Sequence, residues 1–247
     1  MQASDDLYLG TALGPNPVER SDGNPSPMSQ GVGPMGRVYI WDTVPLTLQA
    51  AGLAASQNPG SGAAFALAAG TGVTRVTNPD GTFGYVLDVP RCVTITAAGV
   101  NTATYTVRGL DAFGQPMSQT VAAPSTSTVA TTKAFKTVLS ITNANATAGA
   151  SGLTAGFNDK LGLPLRVIDA GYIVSVKWEA TLADNAGTFV AADTTSPATA
   201  ATTDVRGCYT PTSAANGVRR LVMAIAVPAI GSGPQATRVG AFGVTQA

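Results

Sequence analysis

The stretch that most limits what this chain can fold into is 91–143. Across it, apolar and polar residues alternate with a period of two. Val93, Ile95 and Ala97 alternate with Thr94, Thr96 and Ala98, as in a strand with one face covered. Segments 104–107 and 118–121 flank the turn-rich connection 109–116, which suits a hairpin. Phe135, Val138, Leu139 and Ile141 carry a fourth strand. Side chains branched at Cβ fit a pleated, half-covered surface. No sustained helical period occurs anywhere in the 247 residues, and no clean repeat points to a solenoid or propeller. The expectation is an all-β chain, with one or more β-sandwich, jelly-roll or barrel-like domains.

The first 36 residues differ in kind. Pro15, Pro17, Pro25, Pro27 and Pro34 are interspersed with six glycines, a composition that forms neither a helix nor a central strand. Segment 1–36 is therefore read as an extended arm, either a disordered tail or a strap ordered against a neighbour. Segment 37–150 is read as a β-rich domain, and 151–247 as a second such domain or a continuation of the same sandwich. The small, flexible residues of 145–152 mark the boundary.

Within these bounds, 37–41 is the first strand, and 46–55 reads as a short helix or a loop. Strands follow at 64–68, 73–77 and 83–87, with Asp80-Gly81 as a turn. Beyond the boundary, strands are expected at 165–168 and 172–182, the latter the longest in the chain. Val174, Val176, Trp178 and Ala180 form its apolar face, with Trp178 as a core anchor. Segment 188–203 reads as a loop, and 205–210, 218–227 and 238–244 as closing strands.

Charge bears on function. Only 11% of residues are charged, against roughly 25% in ordinary soluble domains. Such a surface is expected to be covered in part by other subunits. The 14 basic and 14 acidic residues cancel, which gives no electrostatic case for nucleic acid or an acidic membrane as partner. No apolar run approaches the roughly 18–20 residues of a membrane span. Two aspartates near the N-terminus do not suit a secretion signal, so assembly in a cytoplasm is expected. In that reducing setting Cys92 and Cys208, 116 positions apart, are read as buried free thiols.

The sequence contains no histidine, which removes the commonest general base and metal ligand together. The only glutamates are Glu19 and Glu179, and Glu19 lies in the arm. Asp184, Asp193 and Asp204 fall in loops, where aspartate usually forms turns. Gly31-Val-Gly33-Pro-Met-Gly36 matches a dinucleotide-binding pattern formally, but a Pro-rich arm precedes it and a strand follows. Asn145-Ala-Thr147 is a chance glycosylation sequon. No catalytic, cofactor-binding or metal-binding residue is assigned, and no enzyme is expected. Trp41, Tyr85, Tyr105, Tyr172 and Tyr209 could serve a carbohydrate-binding or adhesin module if exposed, although aromatics in strand patterns are more often core.

Several phrases resemble virion proteins of tailed bacteriophages. They are Leu87-Asp-Val-Pro-Arg-Cys-Val-Thr-Ile-Thr96, the hairpin Gly109-Leu-Asp-Ala-Phe-Gly-Gln-Pro-Met-Ser118, Lys133-Ala-Phe-Lys-Thr137, Asp159-Lys-Leu-Gly-Leu-Pro164 and Thr203-Asp-Val-Arg-Gly-Cys-Tyr-Thr-Pro211. The similarity covers about residues 85–228 and is to capsid decoration, or cement, proteins. It implies β-rich domains on the outer capsid surface that bridge neighbouring subunits. The major capsid protein and further copies of this chain would be the partners. A tail component is the rival within the same class.

Overall fold

The computed structural model describes residues 2–8, 35–144, 152–179, 182–184, 186–195 and 203–227. The described chain is all-β, with antiparallel sheets that curl into a half-barrel. In chain order the strands are β1 (Gln2–Tyr8), β2 (Met35–Thr43), β3 (Gln49–Gln57), β4 (Val73–Thr77), β5 (Phe83–Thr96), β6 (Tyr105–Leu110) and β7 (Pro116–Val121). There follow β8 (Thr128–Asn143), β9 (Leu153–Gly162), β10 (Ile173–Trp178), β11 (Leu182–Ala183), β12 (Thr188–Val190), β13 (Cys208–Thr210) and β14 (Leu221–Val227).

The larger sheet runs β12-β13-β9-β5-β8-β6-β7, with β3 added on β9 and β4 on β5. The smaller runs β1-β2-β14-β10-β11. Pairing crosses position 150 in both sheets: β9 lies beside β5, and β14 beside β2. Part of the N-terminal segment also pairs, because β1 lies antiparallel on β2. Gln2–Tyr8 contains neither Pro nor Gly, so nothing in it forbids an edge strand. The Pro-rich residues 9–34 lie outside the described residues.

Several local expectations change. Segment 46–55 is neither helix nor loop for most of its length, since β3 starts at Gln49. Its Ala-rich composition hides the strand, which exists because it finds β9. Segment 64–68 makes only one isolated bridge, Ala64 to Thr142, and 165–168 is not a strand. The longest strands are β8, with 16 residues, and β5, with 14. β5 runs through Pro90, which cannot donate to a ladder. The β5–β8 register accordingly shifts between Val86 and Arg91. β9, in a segment that gave no clear strand signal, is central to the sheet.

β10 is shorter than expected. It ends at Trp178 because Glu179 adopts φ 54, a left-handed conformation unfavourable to a non-glycine residue. A bulge between Ile173 and Ser175 also shifts its pairing with β14. Ile173 therefore packs on the core while Val174 is 58% exposed. Trp178 is a core anchor as expected, at 1% exposure. Segment 188–203 includes the short strand β12, and 238–244 lies outside the described residues.

Among the described residues the interior holds two large cores and a small cluster of Cys92, Ala134 and Cys208. One core lies inside the curl of the large sheet, around Leu53, Leu87, Ile95, Tyr105, Phe135 and Phe157. Phe65 meets Tyr105 there edge-on, with ring centroids 5.4 Å apart, a favoured aromatic geometry. The second core joins the small sheet to β9 and β13 through Trp41, Leu161, Trp178, Tyr209, Leu221 and Met223.

Candidate functional site: buried charges and a thiol pair

The unusual chemistry of this fold lies inside it. Among the described residues eight Asp, Lys and Arg side chains are buried: Arg91, Lys133, Arg166 and Arg206, with Asp111, Asp184, Asp193 and Asp204. Charges leave water only where partners replace it.

Arg91 sits in β5 just after Pro90 and is fully buried. Its Nε and Nη2 donate to the two carboxylate oxygens of Asp88, at 2.8 and 2.6 Å. Nη2 also donates to the Leu46 carbonyl at 2.6 Å, and Nη1 to the Asn158 carbonyl at 3.0 Å and Asp159 at 3.1 Å. The guanidinium lies 5.0 Å from the centroid of the Phe157 ring. Asp88 in turn accepts the Leu46 N–H at 2.7 Å, and Asp159 the Ala215 N–H at 3.3 Å. One side chain thus ties β5 to β9, to the segment before β3 and, through Asp159, to the loop before β14. The Lys136 ammonium nearby donates to the Leu87 and Asp88 carbonyls at 2.6 and 2.9 Å, and burial lowers its pKa from the ordinary lysine value.

A second cluster forms around Arg206, which donates to Asp111 at 2.9 Å and lies 3.8 Å from Asp204. Asp111 caps its own turn by accepting from the N–H groups of Phe113 and Gln115, at 2.7 and 2.9 Å. Asp204 accepts the Arg206 N–H at 2.9 Å and the Ala134 N–H at 3.1 Å. Lys133 donates to the Ser118 carbonyl at 3.3 Å. Burial lowers its pKa against the opposing pull of the Asp204 and Asp193 charges.

These contacts fix the roles of the loop carboxylates. Asp193 accepts from the Thr195 N–H and hydroxyl, at 2.9 and 2.7 Å. Asp184 accepts from the N–H groups of Thr212 and Ser213, at 3.1 and 3.2 Å, and its carbonyl takes a short hydrogen bond from the Tyr209 hydroxyl. Glu179 stands apart at the end of β10, and Glu19 lies outside the described residues. The carboxylates are thus engaged with backbone N–H groups, a threonine hydroxyl or arginine. Among the described residues no three His, Cys, Asp or Glu side chains come together as a metal site. Met35 and Gly36 of the dinucleotide-like match belong to β2, while 31–34 and Asn145 lie outside the described residues. Trp41, Tyr85, Tyr105 and Tyr209 are buried and offer no ring face to a sugar, while Tyr172 is partly buried against the second core.

Sequence reasoning did not bring Arg91, Arg206 or the two cysteines together. A signal existed for the arginines: each interrupts an apolar run, in Val-Pro-Arg91-Cys-Val and Val-Arg206-Gly-Cys. A charge at such a position must find partners or stay at the surface.

Tyr209 gives a pH prediction. Burial, together with the neighbouring Asp184 carboxylate, pushes its hydroxyl up to about 12 from an ordinary value near 10. The unfolded chain then loses this proton before the folded one, so stability falls as pH rises. The contribution is complete below pH 10 and lost between about pH 10 and 12. Denaturation midpoints should therefore drop more steeply over that window in the wild type than in Tyr209→Phe. Parallel slopes would show that Tyr209 titrates as it does in the unfolded chain.

Compared with protein families, curated proteins and solved structures, the chain matches no family model, no curated protein and no solved structure.

Proposed function

We propose that this chain is a non-enzymatic structural protein of a tailed-bacteriophage virion, which decorates the capsid and reinforces it by bridging neighbouring capsid subunits. The observation that supports this reading best is the pairing of buried charges with large apolar side chains left at the surface. A chain with only 14 basic and 14 acidic residues buries eight of them among the described residues alone, yet leaves Val44, Leu48, Val76, Phe83, Leu139, Val174 and Val218 outside.

Five of these apolar residues fall into two groups. The Gly217 N–H donates to the Pro45 carbonyl at 3.0 Å, which brings the loop bearing Val218 beside the one bearing Val44 and Leu48. On the large sheet, Val76 stands opposite Gly84, and a Cβ on Gly84 would lie 3.7 Å from Leu139. Such patches, edged by the Arg220–Asp42 pair and by Arg75 over Phe83, suit contact with another protein surface. Binding would draw on buried apolar area, about 25 cal/mol per Å² before the cost of association. Repetition over a shell multiplies a modest interface. With no net charge, attachment should weaken little between low and moderate salt.

The test compares phage heads with and without this protein for DNA retention during heating, with reducing agent present. Decorated heads should hold their DNA to a higher temperature, and the protein should sediment with them. Equal release temperatures, or recovery of the protein only in tails, would reject the capsid role in favour of a tail component.

A further inference from the structure

Cys92 lies in β5 and Cys208 in β13, 116 positions apart, with β9 between their strands. Both are buried completely. Both sulfurs aim at one acceptor, the Thr132 carbonyl oxygen, at 3.7 and 3.8 Å. The two side chains share one small buried cluster with Ala134, and the Thr203 hydroxyl donates to the Cys208 sulfur at 3.9 Å.

Their surroundings are small. Ala134 stands opposite Cys92, and Gly162 and Val190 flank Cys208 across the ladders. A Cβ on Gly162 would come within 2.5 Å of the Ala134 methyl, so a larger residue there would push the strands apart. The bulge in the β5–β8 pairing between Cys92 and Thr94 carries Thr132 to the sulfurs. A thiol is a weak donor, and two of them share a single carbonyl. Hydrogen bonding alone gives little reason to place two cysteines side by side in a core.

We propose that Cys92 and Cys208 are a disulfide-forming pair, a covalent modification site at which a small disulfide oxidant staples β5 to β13 across β9. One cysteine thiolate attacks the oxidant disulfide, forming a mixed disulfide and releasing one small thiol. The second cysteine then displaces the other small thiol. Two S–H bonds are lost and one S–S bond forms. Two electrons and two protons pass to the oxidant, which leaves as two thiols.

The adjacent Cys208, and then burial, push the Cys92 thiol well up, and the thiolate is the reactive form. Exchange is therefore slow in the closed fold. The bond forms during folding, before the sheet closes over the sulfurs, or through rare openings. The same burial then keeps reductants away from it. Because the bond closes a long loop of chain, it constrains the unfolded state strongly.

The test refolds the full chain from denaturant with oxidised and reduced glutathione, or with reductant alone. Thiols are then alkylated in denaturant and the chain is weighed and digested. The oxidised monomer should take up no alkylating agent, weigh two hydrogens less and yield one peptide pair joined through Cys92 and Cys208. It should melt on the order of 10 °C above the reduced chain. Cys92→Ala and Cys208→Ala should each keep one free thiol and melt alike in both buffers. If oxidative refolding fails to give folded monomer, the native chain held with oxidised glutathione for several days is counted in the same way. Two alkylatable cysteines in the folded monomer, or disulfides found only between chains, would overturn the proposal.

Discussion

Replacing Arg91 with alanine is expected to cost about 3–5 kcal/mol of folding stability, the usual penalty for removing one partner of a buried ion pair. The figure follows from what is left behind. Asp88 and Asp159 have side chains only 11% and 12% exposed, and both would lose their guanidinium partner. The carbonyls of Leu46 and Asn158 would lose their donor as well. Arg91→Lys should restore only part of the loss, because a single ammonium cannot make the paired contact with Asp88 while also reaching both carbonyls. The comparison is Arg220→Ala. Arg220 also pairs with an aspartate, Asp42, but the two side chains are 61% and 40% exposed. Surface pairs contribute little, and no measurable change is expected there. Urea denaturation followed by tryptophan fluorescence reads both variants against the wild type. Equal losses in Arg91→Ala and Arg220→Ala would mean that the Arg91 cluster does not hold the strands together.

The same cluster shows where sequence reading succeeds and where it stops. The all-β class is legible because side-chain alternation along a strand is a local property: Val93, Ile95 and Trp178 each declare a buried face within a few residues. Strand pairing is not local. β9 carries Asn158, Asp159 and Lys160 in its middle, which breaks the alternation. Asp159 is tolerable there only because Arg91, 68 positions earlier, supplies its counter-charge. Bulges are hidden for a related reason. Val174 and Val176 look equivalent in sequence, yet the slip between Ile173 and Ser175 puts the first in water and the second in the core. The thiol pair is the extreme case. Nothing near Cys92 or Cys208 announces the other, and only the folded sheet brings both sulfurs to the Thr132 carbonyl.

Gly156→Ala is the other substitution with a large expected effect, and its cause is steric. Gly156 lies in β9, opposite Thr94 of β5. A methyl group there would sit 1.7 Å from the Gln49 carbonyl oxygen and 2.6 Å from the Ala50 carbonyl carbon. Both atoms are backbone, so no side-chain rotation relieves the overlap. The start of β3 must move off the sheet, and the β3–β9 register already shifts between Gln49 and Ala54. Displacing it disturbs the chain beside Leu46, whose N–H and carbonyl complete the Arg91–Asp88 cluster. Overpacking in cores typically costs 1–3 kcal/mol, and a clash with immovable backbone should lie at or beyond the upper end, at about 3 kcal/mol or more. A glycine inside a strand often marks such a close approach of another backbone. Gly60→Ala is the control: its added methyl meets nothing within 4 Å, and its stability should stay within about 0.5 kcal/mol of the wild type. Gly156→Ala should therefore unfold at clearly lower urea concentration or accumulate as insoluble protein, while Gly60→Ala behaves as the parent. If the two variants unfold together, β3 does not cross over Gly156, and the covering of the large sheet at that end has to be redrawn.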